Sequence, residues 1–287
     1  MPELPEVETI RQTLRYKVLG KEIADVSVRY PDIIQMDVTA FTHRLIGERI
    51  IEIGRRGKYL LFELDHYYLI SHLRMEGKYF LRHKTVPMDK HDHVIFSFTD
   101  GTELRYNDVR KFGTMHLKGK DDLYRAEPLA RLGPEPTPDS LTFTYLQDAL
   151  LKRKAAIKKV LLDQEVIAGL GNIYVNEALF MARIHPEQPA NTLKDEEIER
   201  LRVACLDIIE RAIANGGTTI RSYYSDDEVS GRFQEHLLVH GRQGESCYTC
   251  GSPIIKMKVG GRGTYICPRC QRLRHRKGRQ RKSGARR

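Results

Sequence analysis

The sequence predicts a multidomain α+β chain: a strand-rich first part behind one helix, a helical second part, and a short cysteine-bound hairpin. Three observations carry this. Short β-rich runs fill residues 23–106, helical spacing takes over after a proline cluster at 133–138, and two Cys-x2-Cys knuckles stand near the end. At 287 residues and 40% hydrophobic content the chain is long enough for a substantial core and two or more domains. A charged fraction of 30% with 12 Pro argues against disorder or a fibrous repeat. No uncharged apolar stretch approaches the length of a membrane helix.

The leading helix is expected from Val7, Ile10, Leu14 and Val18, which recur at spacings of three and four. Pro5 suits its first turn, and Glu6 and Glu8 complement its N-terminus. Strands are expected at 23–30, 50–53, 59–64, 68–73 and 78–81. Two more, 94–98 and 102–106, flank the hairpin signal Asp100-Gly101. Many short strands with turns suggest a sandwich or a barrel. Pro134, Pro136 and Pro138 forbid regular structure, which sets domain bounds at 1–132 and 133–140. Helices are expected at 141–151, 155–164, 173–184 and 194–215, in a domain spanning 141–235. Cys205 falls on the apolar stripe of the last helix and reads as a core thiol.

Cys247-x2-Cys250 and Cys267-x2-Cys270, 16 residues apart, have the spacing of a four-thiolate site for one structural Zn²⁺. The acidic start, with no apolar run after it, does not read as a signal peptide, and a reducing cytoplasm favours metal over disulfides. Strands at 254–259 and 264–266 would carry Arg262 at a glycine-rich tip, in a finger spanning 236–272. The net charge of +10 is uneven: nine of the 48 Lys/Arg lie in Gln271–Arg287, which has no acid, leaving 39 against 38 Asp+Glu elsewhere. The basic tail is placed at 273–287. Within the body, Arg55, Arg56 and Lys58 cluster, as do Lys152, Arg153, Lys154, Lys158 and Lys159, as a polyanion-binding surface requires.

Met1 precedes the small residue Pro2, and its removal would expose a secondary amine. An α-amine titrates near 8 and is a candidate nucleophile toward an electrophilic carbon, with Glu3 beside it as proton donor or acceptor. Read alone, a Met-Pro start is more often inert.

Met1-Pro2-Glu3-Leu4-Pro5-Glu6-Val7-Glu8-Thr9 resembles the start of the formamidopyrimidine-DNA glycosylase family. Gly57-Lys58-Tyr59, Ser71-His72-Leu73-Arg74-Met75, Lys90-His91-Asp92-His93, Asp108-Val109-Arg110-Lys111-Phe112-Gly113, Gly171-Asn172-Ile173-Tyr174, Gly241-Arg242-Gln243-Gly244 and the four cysteines resemble further family motifs, in family order. The resemblance implies a two-layer β-sandwich, a helix–two-turn–helix domain and a zinc hairpin around damaged double-stranded DNA. It implies a monomer in the bacterial cytoplasm, on the nucleoid, acting in base excision repair on 8-oxoguanine and formamidopyrimidines.

The resemblance also implies roles. Pro2 attacks C1′ of the damaged nucleoside. Glu3 assists ring opening and proton transfer, Lys58 donates a proton during β-elimination, and Arg262 serves δ-elimination. Met75, Arg110 and Phe112 fill the duplex when the base leaves, since an apolar wedge and a cation offset part of the lost stacking. His91, Arg153, Lys158 and Asn172 contact DNA. For Asn172 the amide and the free N–H groups of a helix start would hold a phosphate. Residues 221–231 close over the everted base, with Glu76 and Glu6 near the pocket. One position departs from the pattern: His240 stands where a phosphate-contacting Tyr is expected. An imidazole there would gain charge on protonation and make affinity pH-dependent. Leu4 and the Met75/Arg110/Phe112 trio favour this branch over the sister enzymes for oxidised pyrimidines. Pro2, Glu3, Lys58 and Arg262 argue against a non-catalytic zinc-containing binder.

Overall fold

The computed structural model describes residues 1–218 and 231–274. The first part holds helix α1 (Leu4–Val18), strand β1 (Ile23–Val28), helix α2 (Val38–Leu45) and strands β2 (Ile50–Arg56), β3 (Tyr59–Leu64), β4 (Tyr67–His72), β5 (Lys78–His83), β6 (Asp92–Phe98), β7 (Thr102–Asn107) and β8 (Thr114–Gly119). They form two antiparallel four-stranded sheets, ordered β1-β6-β7-β5 and β2-β3-β4-β8. The alternative left open by the strand pattern is thereby decided: the architecture is a sandwich. Its core joins Ile53, Phe62 and Leu69 of one sheet to Val94, Phe96 and Leu104 of the other.

Helix α1 belongs to two cores. Val7, Ile10, Leu14 and Val18 pack into the sandwich, whereas Leu4 packs into the helical core. That second core is built by α3 (Phe143–Leu151), α4 (Ile157–Leu161), α5 (Asn172–Met181) and α6 (Asp195–Ala214). Cys205 is fully buried there, as its place on the apolar stripe implies. The hairpin β9 (Ile255–Val259) and β10 (Arg262–Ile266) follows. Gly260 and Gly261 form its turn with φ of +57° and +79°, a backbone that disfavours any side chain. Arg262 is therefore the first residue of β10, paired with Val259, and not a turn residue.

Two elements were not expected. Helix α2 starts where the Asp37 carboxylate accepts the Ala40 N–H at 2.7 Å, and it buries only Phe41 and Leu45. Strand β8 buries Met115 and Leu117 from an otherwise polar run. Helix α4 is shorter than its expected span: Ala156 leaves the helical path to bridge Pro189, and Leu162 caps the far end.

Candidate nucleic-acid active site

Pro2 is buried, next to an exposed Met1 and two residues before Leu4 of the helical core. Glu3 caps α1, and its own N–H donates to Glu6 Oε2 at 2.9 Å. The Glu3 carboxylate accepts the N–H groups of Ile173 at 2.9 Å and Tyr174 at 3.4 Å, the first turn of α5. This approach needs Gly171, where a Cβ would lie 2.3 Å from Glu3 Cδ. Burial pushes the Glu3 carboxyl up to about 7, against the opposing pull of the Lys58 ammonium.

Lys58, in the tight turn between β2 and β3, is not a solvated surface lysine. It is buried and donates to the Leu170 carbonyl at 2.7 Å. Burial pulls its pKa down, Glu3 and Glu6 pull it back up, and Arg262 adds to the lowering, so these four charges share one locale. Glu6 is fully engaged: beyond the Glu3 N–H it accepts the Tyr174 hydroxyl at 2.5 Å and both the N–H and hydroxyl of Thr218. Thr218 is the last described residue before 219–230, so Glu6 ties the N-terminal end of α1 to the last described residue before that segment. The expected base-covering segment 221–231 lies outside the described residues, Gly231 apart. Glu76 is half-buried in the turn after β4.

The four cysteine Sγ atoms lie within 4.8 Å of one another, with Cys250–Cys267 at 3.4 Å and Cys247–Cys270 at 4.0 Å. A tetrahedral Zn²⁺ with 2.3 Å bonds sets its sulfurs about 3.8 Å apart, so the donor set fits one structural zinc. The hairpin is also tied to the helical core. Gln271 donates to the Ile184 carbonyl, and Asn172 Nδ2 donates to Gly263 O at 3.1 Å. Arg274 pairs with Glu197, and the basic tail beyond it lies outside the described residues.

Several expected DNA contacts differ from the sequence reading. Lys158 is 0% exposed, and its ammonium donates to Asn176 Oδ1, Gly263 O and Thr264 Oγ1. All three donors are spent, so Lys158 is a clamp between α4, α5 and the hairpin and is not placed as a phosphate ligand. The N–H groups after Asn172 serve Glu3 and are not free for a phosphate; Asn172 Oδ1 is buried without a partner among the described residues. Arg55 and Arg56 are consumed by Glu8, Glu135 and the carbonyls of residues 57, 132 and 133, so that cluster is internal bracing. His240 accepts no surface charge role: its Nδ1 meets Asn176 Nδ2 at 2.8 Å, its ring lies 5.0 Å from that of Tyr265, and burial helped by Lys158 and Lys256 drops its pKa to about 4.

Other expected residues do face outward. Arg262 is exposed on β10, and Lys152, Lys154 and Lys159 are exposed around a half-buried Arg153. His91 is half-exposed, with its N–H held by Asp89 Oδ1. Met75 is 40% and Phe112 52% exposed, with the Arg110 guanidinium 4.8 Å from the Phe112 ring. The loop carrying the latter pair is organised by Asp108, fully buried, whose carboxylate accepts the N–H groups of Arg110, Phe112 and Gly113.

Comparison with known proteins follows the same division. Family models match at residues 1–115 (formamidopyrimidine-DNA glycosylase N-terminal domain), 132–224 (formamidopyrimidine-DNA glycosylase H2TH domain) and 244–273 (zinc finger found in FPG and IleRS). The chain is 52% identical over 273 residues to the formamidopyrimidine-DNA glycosylase of Bacillus subtilis, covering 94% of this chain and 99% of that protein. It belongs to the formamidopyrimidine-DNA glycosylase family. The Geobacillus kaustophilus relative is 51% identical over 274 residues, 95% of this chain and 100% of its own. Among solved structures, a Lactococcus lactis Fpg mutant in complex with Fapy-dG-containing DNA superposes with a TM-score of 0.90 at 43% identity, covering 94% of this chain and 100% of that one. MutM in complex with carbocyclic 8-oxo-G-containing DNA gives 0.89 at 43% identity, with the same coverage of each chain.

Sequence reasoning missed the residues that place this family's site. Asn176 and Glu177 sit in an apolar helix, which is itself a signal of a required polar contact. Glu177 accepts the N–H groups of Leu238, Val239 and His240, at 2.6, 3.0 and 2.7 Å. Glu135 in the proline linker left no such signal.

Proposed function

We propose that this chain is a bifunctional DNA glycosylase and AP lyase of base excision repair that removes 8-oxoguanine and formamidopyrimidines from duplex DNA. The observation that carries the reading is the buried Glu3 carboxyl, set next to Pro2, bonded to the start of α5 and coupled to Lys58. With Met1 removed, Pro2 presents a secondary amine. Its lone pair attacks C1′, the nitrogen–carbon bond forms, and the bond from C1′ to the damaged base breaks, its electrons leaving with the base, which takes up the proton the amine nitrogen releases. A Glu3 carboxyl near 7 is protonated in a large fraction at neutral pH and protonates the sugar ring oxygen as the ring opens to the imine.

Loss of a C2′ proton from that imine expels the 3′ phosphate, which is β-elimination. Lys58 supplies or takes the proton, and burial pulls its pKa below that of a solvated lysine, which eases the exchange. Loss of the 5′ phosphate in δ-elimination follows, with Arg262 on the flanking phosphates. Zinc, when bound by the four thiolates, contributes folding free energy to the hairpin and no chemistry. Met75, Arg110 and Phe112 fill the gap left by the everted nucleotide. Arg153 and His91 hold backbone phosphates, and His240 offers a neutral N–H. The protein acts as a monomer in the cytoplasm, with no membrane role. Among the described residues no helix is long and apolar enough to cross a membrane.

The test is a set of duplexes each carrying one oxidised purine or one oxidised pyrimidine, scored for excision and strand cleavage. Faster excision of the purines supports the reading; faster excision of the pyrimidines assigns the chain to the sister activity.

A further inference from the structure

Met75 lies on the loop 73–77 from β4 to β5, and Arg110 and Phe112 on the loop 108–113 from β7 to β8. If the three enter a duplex together, the two loops must keep one spacing. Both loops cross from one sheet to the other at the same end of the sandwich. β4 and β8 pair as far as His72 with Thr114, and β5 and β7 as far as Lys78 with Asn107, so the loops run side by side. Each carries a residue in the left-handed region next to its wedge residue: Arg74 at φ +52° and Lys111 at φ +57°. Such backbone persists only where its surroundings over-determine it.

Beneath both loops stands Tyr106 of β7, 0% exposed, its ring 5.2 Å from that of Tyr79. A Cβ added at Gly113 would lie 1.6 Å from the Tyr106 hydroxyl, and one added at Gly77 would lie 2.3 Å from it. Neither glycine has a positive φ, so glycine is required there for room and not for backbone freedom. The same hydroxyl lies 3.4 Å from Asp108 Oδ2, the carboxylate that gathers the N–H groups of Phe112 and Gly113. One oxygen thus occupies the side-chain space of a glycine on each loop and touches the group that shapes one of them.

We propose that Tyr106 is the positioning residue of the duplex-filling wedge, coupling the two loops so that Met75, Arg110 and Phe112 enter DNA as one unit. This rests on the assignment of those three residues to that role. Tyr106→Phe keeps the buried ring and deletes only the oxygen between the loops. Misplacement of a positioned group by about 1 Å can cost up to about 100-fold in rate, so a fivefold effect is a modest expectation.

The experiment measures, under single-turnover conditions, excision of 8-oxoguanine from a duplex and cleavage of a preformed abasic site in single-stranded DNA, which needs no wedge. The ratio of the two rates is compared for the wild type, Tyr106→Phe and Phe112→Ala. The expected result is a ratio lowered at least about fivefold in both variants. An unchanged ratio in Tyr106→Phe beside a lowered one in Phe112→Ala overturns the coupling and leaves the wedge assignment standing. An unchanged ratio in Phe112→Ala removes the wedge assignment, and the inference with it.

Discussion

The Glu3 carboxylate accepts the N–H of Ile173 at 2.9 Å across 170 residues of chain. That contact joins the sandwich helix to the helical core and fixes the residue beside the N-terminal amine. Burial at that junction makes Glu3 expensive to ionise, and the Ile173 N–H only partly offsets it. The folded protein holds the Glu3 proton up to about 7, whereas the unfolded chain gives it up near 4.5. Stability from the neutral carboxyl is therefore complete below about 4.5 and is lost as pH rises through 7. Glu3→Gln is neutral throughout, so its stability relative to wild type should rise by up to about 3 kcal/mol between pH 4.5 and 7.5. Urea unfolding at several pH values checks this; a flat difference would show that Glu3 is not perturbed.

Lys158 and Arg153 should separate in salt dependence. Each phosphate contact contributes about one unit to the slope of log affinity against log salt. Arg153→Met should lower that slope for undamaged duplex by about one, and Lys158→Met should leave it unchanged, because the Lys158 ammonium is spent on Asn176, Gly263 and Thr264. An equal loss of slope in both variants would place the Lys158 ammonium on a phosphate.

Zinc loss should be local. The hairpin has its own small core of Phe180, Val239, Ile254 and the cysteines, separate from the sandwich and helical cores. Chelation or Cys247→Ser should melt it, misplace Arg262 and weaken lesion-DNA binding, while circular dichroism retains most of the helical signal. Global unfolding on zinc removal would make the hairpin integral to the other cores.

His240 reverses an expectation. A histidine in place of a phosphate-contacting tyrosine suggests a charge that switches on at mildly acidic pH. The half-buried ring, held by Asn176 and shadowed by Lys158 and Lys256, titrates near 4 instead. Wild type and His240→Tyr should therefore show parallel affinity profiles for a non-cleavable lesion duplex from about pH 5.5 to 8. Profiles that diverge below about pH 6.5 would restore the charged contact.

What was legible in the sequence was what local chemistry decides. The cysteine spacing, the Asp100-Gly101 hairpin, the α1 stripe and the proline linker each speak within a few residues. What depends on distant partners was not. Nothing near Lys58 announces that Leu170 will bury it, and nothing in the run Lys152–Lys159 tells which lysine turns inward, because α4 is only five residues long. The proposal of Pro2 as nucleophile draws its weight from the family resemblance, since a Met-Pro start offers a candidate amine but by itself is more often inert.

The account stands on an imine at Pro2. Borohydride reduction of the protein with an 8-oxoguanine duplex, followed by peptide mass spectrometry, tests it most directly. Protein lacking Met1 should be trapped covalently, with the sugar remnant on the peptide that begins at Pro2. Protein that keeps Met1, or Pro2→Gly, should give no trapped complex or much less of it, with duplex binding within about tenfold of wild type, because affinity comes mainly from phosphate contacts elsewhere. Normal strand cleavage by Met1-bearing protein, or an adduct mapped to Lys58, would contradict the account.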